Sequence, residues 1–275
     1  MDALHLVDRW PVGTATAGVA TGSGACSFTG DIERPFPWAS LTKVLVSLAL
    51  LVAVEDETVA LDDPAGPPGS TVRHLLAHAS GLAPDSPTAI TVPGRRRIYS
   101  SAGFDLLGAF VSERSGMPFA DYLAGSVLEP LGLSGTRFGI GASPAAGASG
   151  PLRDLAALAT ELLTPTVVSA STLATATSVA FPGLVGVLPG FGRFEPCDWG
   201  LGLEVRGQKQ PHWTGSRNDP ATFGHFGRAG GFLWVDPRSA VACVALSDRP
   251  FGPWARHAWP VLADAVLADT ETSGP

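Results

Sequence analysis

The chain has 275 residues, 45% of them hydrophobic, and a formal net charge of −7. That length allows one large domain or two, with apolar residues enough for a substantial core. The acidic balance, relieved only by the short run Arg95-Arg96-Arg97, excludes a nucleic-acid-binding surface, and no apolar run is long enough to span a bilayer.

The N-terminus, Met1-Asp2-Ala3-Leu4-His5, has neither a positive n-region nor an apolar h-region. No signal peptide is expected, and a cytoplasmic location follows. Residues 12–30 read as a hairpin: a Val, Thr and Ala-rich run, the turn Gly22-Ser23-Gly24, and a return through Ala25 to Thr29. Pro37-Trp38-Ala39-Ser40 then closes a loop, and residues 40–54 are good helix formers. The spacing predicts Thr71 to His78 as a short helix stopped by Ser80-Gly81, and residues 84–98 as an irregular loop. Ser101 to Ser115, Phe119 to Val127 and Leu152 to Leu163 continue the helical pattern. After about residue 195 the texture becomes strand-like, at Gly200 to Val205, Phe232 to Val235 and Ala240 to Leu246. Trp254 to Leu267 closes the chain as a helix containing Pro260. The expected architecture is α+β: an antiparallel sheet flanked by helices and built from both termini, residues 1–35 and 175–275, with a mainly helical unit, 36–174, inserted between. A site is expected at the seam of the two units.

The chemistry centres on Ser40 and Lys43. Ser40 falls where a helix begins, among free backbone N–H groups that favour negative charge. Lys43 lies one turn on, so its amine shares a face with the Ser40 hydroxyl. A hydroxyl needs a base to become a nucleophile, and a lysine serves if burial lowers its pKa. Lys43 and Lys209 are the only lysines, and every other basic side chain apart from histidine is arginine. Position 43 thus carries a basic group that can lose its proton near neutrality. Tyr99 stands at a loop–helix junction, either as a packing residue or as a phenol beside Lys43. Gly224-His225-Phe226-Gly227-Arg228 opens the C-terminal strand pair, with glycines that allow close approach. His74 and His78 have metal-compatible spacing but lack the Glu of His-Glu-x-x-His and a third ligand, and His78 is expected to bond the end of its helix. Cys26, Cys197 and Cys243 have no metal or redox spacing and fit a reducing compartment. Cys197 and Trp199 read as packing residues.

Taken in order, these motifs resemble the serine β-lactamase and penicillin-binding-protein superfamily, and most of all its class C β-lactamase-like branch, over nearly the whole chain. Ala39-Ser40-Leu41-Thr42-Lys43 is similar to the Ser-x-x-Lys nucleophile motif. Val72 to Leu82 is similar to the helix that follows it, and Glu129-Pro130-Leu131-Gly132-Leu133 to another characteristic stretch. Tyr99-Ser100-Ser101 stands where the family has Tyr-x-Asn, and His225-Phe226-Gly227 where many members have Lys-Thr-Gly and others His-x-Gly. The resemblance implies acyl transfer: Ser40 attacks a carbonyl, Lys43 and Tyr99 move the proton, and the N–H groups of Ser40 and Arg228 form an oxyanion hole. Ser101, His225, Gly227 and Arg228 would contact a small ester, amide or β-lactam. No metal, organic cofactor, nucleic acid or membrane is implied. His225 replaces a permanent cation and Ser101 an amide. Both departures favour an esterase over a β-lactamase or D-aminoacyl peptidase. The alternative from another class is a β-lactam sensor that acylates without turnover.

Overall fold

The computed structural model of the chain describes residues 1–272. Six strands form one antiparallel sheet: β1 (Ala15–Thr21), β2 (Cys26–Thr29), β3 (Glu204–Val205), β4 (Phe223–Gly227), β5 (Gly231–Asp236) and β6 (Val241–Ser247), in the spatial order β2-β1-β6-β5-β4-β3. The N-terminal hairpin therefore docks on the last strand of the chain, with Val19 opposite Cys243. Helices α1 (Thr42–Glu55), α2 (Val72–Leu76), α3 (Ser101–Ser115), α4 (Phe119–Leu123), α5 (Leu152–Leu163) and α6 (Ala170–Thr177) lie between the two strand groups in sequence. Helix α7 (Pro253–Thr272) follows the last strand. This is the expected antiparallel sheet flanked by helices, built from both ends of the chain.

Side chains alternate across a strand, and here both faces are covered. Leu233, Val235, Val244 and Leu246 face one apolar cluster together with α1, α3 and α5. Phe232, Trp234, Cys243 and Ala245 face the other, against Trp259, Leu262 and Val266 of α7. That is why β5 and β6 are buried at every position and read as unbroken apolar runs. Helix α1 is apolar on nearly all sides, as befits a helix enclosed on all sides.

Several elements depart from the expected pattern. The 3₁₀ helix Asp2–Arg9 buries Ala3, Leu4 and Val7 in the cluster that contains the α7 residues, and its polar remainder hides that face in the sequence. Phe223–Gly227 is a full strand despite two glycines, and only the last two residues of Gly200–Val205 pair with it. The helix starting at Thr71 stops at Leu76, and the one starting at Phe119 passes into a π-helical turn, Ala124–Leu128. The loop 84–98 begins within a two-stranded ladder, Leu82–Ala83 against Ser86–Ala89. No helix among the described residues is long and apolar enough to cross a membrane.

Candidate active site

The turn that carries Ser40 is built first by Trp38. Its indole N–H donates to the Gly150 carbonyl at 3.1 Å and its backbone N–H to the Ala148 carbonyl at 2.9 Å. Ala39 follows with φ 46°, a left-handed conformation that costs a non-glycine residue about 1–2 kcal/mol. Ser40 then sits in a 3₁₀ turn, Ala39–Leu41, that runs directly into α1. The segment after Ser143 cradles this turn: the Ala148 N–H donates to Thr42 Oγ1 at 3.0 Å, and the Ala145 carbonyl accepts from Lys43 Nζ at 2.9 Å.

Lys43 is fully buried. Its Nζ lies 4.8 Å from the centre of the Tyr99 ring and 5.4 Å from that of Phe104. Burial lowers its pKa to about 7, against the opposing fields of Asp105 and Asp85. Asp105 is held by the Ser143 hydroxyl at 2.7 Å and the Ala145 N–H at 3.3 Å. The amine therefore has a carbonyl to donate to and, among the described residues, no carboxylate within ion-pair distance.

Tyr99 is fixed from both sides by one residue, His78. The Ile98 N–H donates to the His78 carbonyl at 2.8 Å, and the Ser100 N–H donates to His78 Nδ1 at 3.1 Å. The imidazole stacks on the Tyr99 ring at 4.6 Å and is enclosed by Phe104 and Trp199. Because Nδ1 accepts, the neutral ring carries its proton on Nε2. Burial, with Lys43, His225 and Arg97 adding to it, keeps the ring uncharged, its pKa well below the ordinary value. The expectation for His78 is thus corrected: its ring bonds the start of the next helix, where Ser100 caps α3 through the Gly103 N–H, and not the end of its own. His74 takes a separate partner, Thr71, and stacks on Phe181. Among the described residues no group of three or more His, Cys, Asp or Glu side chains could hold a metal ion.

Burial pushes the Tyr99 phenol well above its ordinary pKa, although a side-chain hydrogen bond with Ser40 and the field of Arg228 pull the other way. At neutral pH it is a proton-bearing phenol. Its oxygen lies 3.5 Å from His225 Nε2. His225 Nδ1 donates to its neighbouring carbonyl, Phe226 O, at 2.7 Å, so Nε2 presents a lone pair to Tyr99. Burial and the nearby Lys43 bring the His225 pKa down to about 3. His225 is therefore a neutral acceptor.

One cleft of about 1150 Å³ is lined by Ser40, Tyr99, Ser101, His225 and Arg228. Lys43 does not line it; its Nζ lies over the Tyr99 ring, which does. Gly227 does not line the cleft; it is where β4 meets the turn that carries Ser40. A Cβ at Gly227 would lie 2.3 Å from the Trp38 carbonyl oxygen. Gly227→Ala is accordingly expected to force the strand end off the turn by a substantial fraction of an ångström and to lower kcat/KM on the order of 100-fold, with a smaller loss of thermal stability. Unchanged kinetics would mean that this close approach does not position the reacting groups.

Two further residues bound the cleft. Trp199 packs against His78, Tyr99 and His225, so it is both a core residue and a wall. Glu204 lies in the wall beside His225, and its carboxylate is tied to Lys209 Nζ at 3.0 Å, to His212 Nε2 at 2.9 Å and to the Trp213 indole N–H. Burial opposes its ionisation, yet His212 and Lys209 outweigh it and bring the pKa to about 2. The second lysine of the chain is thus spent on a buried ion pair.

The comparisons with known proteins agree with one another. A family model described as Beta-lactamase matches residues 6–267. A solved β-lactamase of Mycobacterium bovis is 52% identical and superposes with a TM-score of 0.95, covering 98% of this chain and 99% of its own. EstCE1, described as a hydrolase with promiscuous acyltransferase activity, has the same fold at 19% identity, with a TM-score of 0.76 and 96% of each chain covered. Penicillin-binding protein 4* of Bacillus subtilis (strain 168) is 29% identical over 37% of this chain and 30% of its own length. The match spans about a third of the length of the curated relatives.

Proposed function

The chain belongs to the beta-lactamase family, and on that premise we propose that it is a serine hydrolase forming an acyl-enzyme on Ser40, with esters preferred to β-lactams. The observation that carries the reaction is the buried amine of Lys43, brought to about 7 one turn from the Ser40 hydroxyl. As Ser40 Oγ attacks the substrate carbonyl, Lys43 Nζ accepts the hydroxyl proton. The new O–C bond forms while the carbonyl π pair moves to oxygen, toward the N–H groups of Ser40 and Arg228. Each such donor is worth about 3–4 kcal/mol in the transition state. On collapse, the C–O bond to the leaving group breaks. The departing alkoxide takes the phenolic proton of Tyr99, which the Lys43 ammonium replaces. Water then attacks the acyl-enzyme, returns a proton by the same route and frees Ser40. Tyr99 acts here as a carrier and Lys43 as the base, because the phenol is protonated at rest.

The preference for esters rests on His225. A neutral ring with its lone pair turned to Tyr99 leaves the place beside the phenol without the cation that a lysine there would offer to the carboxylate of a β-lactam or a peptide terminus. Ser101, at the head of α3, offers a hydroxyl in place of an amide. The deciding experiment compares a short-chain p-nitrophenyl ester with a chromogenic cephalosporin. The expected result is a kcat/KM for the ester at least about tenfold higher, the size of effect a missing charge-assisted contact produces. The reverse order would assign the chain to β-lactam or D-aminoacyl hydrolysis. A stable acyl adduct without turnover would make it a sensor.

A further inference from the structure

The cleft walls carry a second pattern, of charge and of apolar surface. Ile90 and Val187 line the cleft and are 58% and 57% exposed, in a chain that buries most of its large aliphatic residues. Leu188, Phe226 and Phe251 extend this apolar lining. Beside it stand Arg95 and Arg96, both exposed, with no ion-pair or hydrogen-bond partner among the described residues. Their backbone is held on either side. The Gly94 N–H donates to the Ala79 carbonyl at 2.8 Å and the Arg97 N–H to the Val185 carbonyl at 2.8 Å. The third arginine of the run is spent: Arg97 is buried and donates to the Cys197 carbonyl at 3.0 Å and the Ala180 carbonyl at 2.8 Å.

The charges that line the cleft leave it net positive, with Arg95, Arg96, Arg97, Arg193 and Arg228 against Asp85 and Glu204. Arg193 is engaged by Glu195 at 3.0 Å, and Glu204 by Lys209. Asp85 and Arg228 also line the cleft, and their fields reach Tyr99. Two unpaired guanidinium groups beside an apolar wall, in a chain of net charge −7, form a site for an anion joined to a hydrocarbon.

Building on the hydrolase reading, we propose that the cleft takes esters of amphiphilic acids: the apolar acyl chain lies against Ile90, Val187, Leu188, Phe226 and Phe251, and a free carboxylate or phosphate is held by Arg95 and Arg96. The chemistry is ordinary ester hydrolysis, and the arginines act on substrate choice.

The test compares the p-nitrophenyl hemiester of suberic acid with neutral p-nitrophenyl octanoate, on the wild type and on the Arg95→Ala/Arg96→Ala double variant. In the wild type the hemiester is expected to show at least about a tenfold higher kcat/KM, expressed in KM and declining with added salt. In the double variant the ratio falls to about one. Equal rates in the wild type, or a preference that survives in the double variant, would overturn the proposal while leaving the hydrolase reading intact. If neither ester turns over, the hydrolase reading fails separately. Calorimetry with octyl phosphate against octyl glucoside then decides the charge assignment: tighter, arginine-dependent binding of the phosphate supports it, and equal binding refutes it. Arginine-dependent sedimentation with anionic vesicles, without preference between the soluble esters, would assign Arg95 and Arg96 to a lipid surface and overturn the proposal.

Discussion

Ser40→Ala is expected to lower ester turnover by about four to six orders of magnitude, the loss seen when an activated nucleophile is removed from a site that acts as a unit. The fold should not change. Ser40 is partly exposed in a 3₁₀ turn, and its backbone is set by Trp38, Ala39 and the helix that follows. Alanine keeps that backbone and deletes one oxygen. Circular dichroism and the thermal midpoint should match the wild type, while intact mass after exposure to a fluorophosphonate should show a single adduct on the wild type and none on the variant. Equal turnover by both proteins would remove Ser40 from the reaction.

Lys43→Met is expected to be folded and slower by about three orders of magnitude or more, at the scale of losing the base that activates a nucleophile. The thioether fills a pocket formed by the Tyr99 and Phe104 rings and forfeits one hydrogen bond to Ala145. Lys43→Arg tests the same point from the other side. It keeps a positive charge, but a guanidinium stays protonated at any accessible pH, so it cannot serve as a base. Recovery of activity with arginine would show that charge, not proton acceptance, is what position 43 supplies. Stability gives a readout independent of turnover. The folded-state pKa of Lys43 is about 7 against an ordinary 10.5, so the unfolded chain binds the extra proton between those values. Stability contributed by this group is complete above 10.5 and is lost as pH falls through about 7. The wild type should gain thermal stability relative to Lys43→Met as pH rises through that window.

Much of this was legible in the residues because it is local. The Ser-x-x-Lys spacing places two groups one helical turn apart wherever the helix goes, and the near absence of other lysines marked Lys43 as a choice. Lysine count alone did not separate the two roles: Lys209 is equally buried but ion-paired with Glu204, and only the fold brings the carboxylate to one amine and not the other. His78 shows what stays hidden. Its sequence position, at the end of a short helix, suggested a bond to that end, whereas its bonds run to residues 98 and 100 on a returning loop. At Gly227 the residues signalled a close approach but not its partner, the Trp38 carbonyl, far away in sequence. Residues 224–228 were expected to open the C-terminal strand pair, and pairing with β5 and β3 makes Phe223–Gly227 a strand in its own right although two glycines weaken its pattern.

The pH dependence of Ser40 acylation tests the central claim most directly. Around the reacting groups, His225 titrates near 3, His78 is held well below its ordinary value, and the Tyr99 phenol lies far above neutrality, so none of them yields a transition near 7. With a neutral ester under single-turnover conditions, the acylation rate should fall tenfold per pH unit below about 7 and level off above it, and the fold should remain intact across the range. A profile that is flat through this region, or one whose limb lies near the ordinary lysine value of 10.5, would contradict the assignment of a neutral Lys43 as the base.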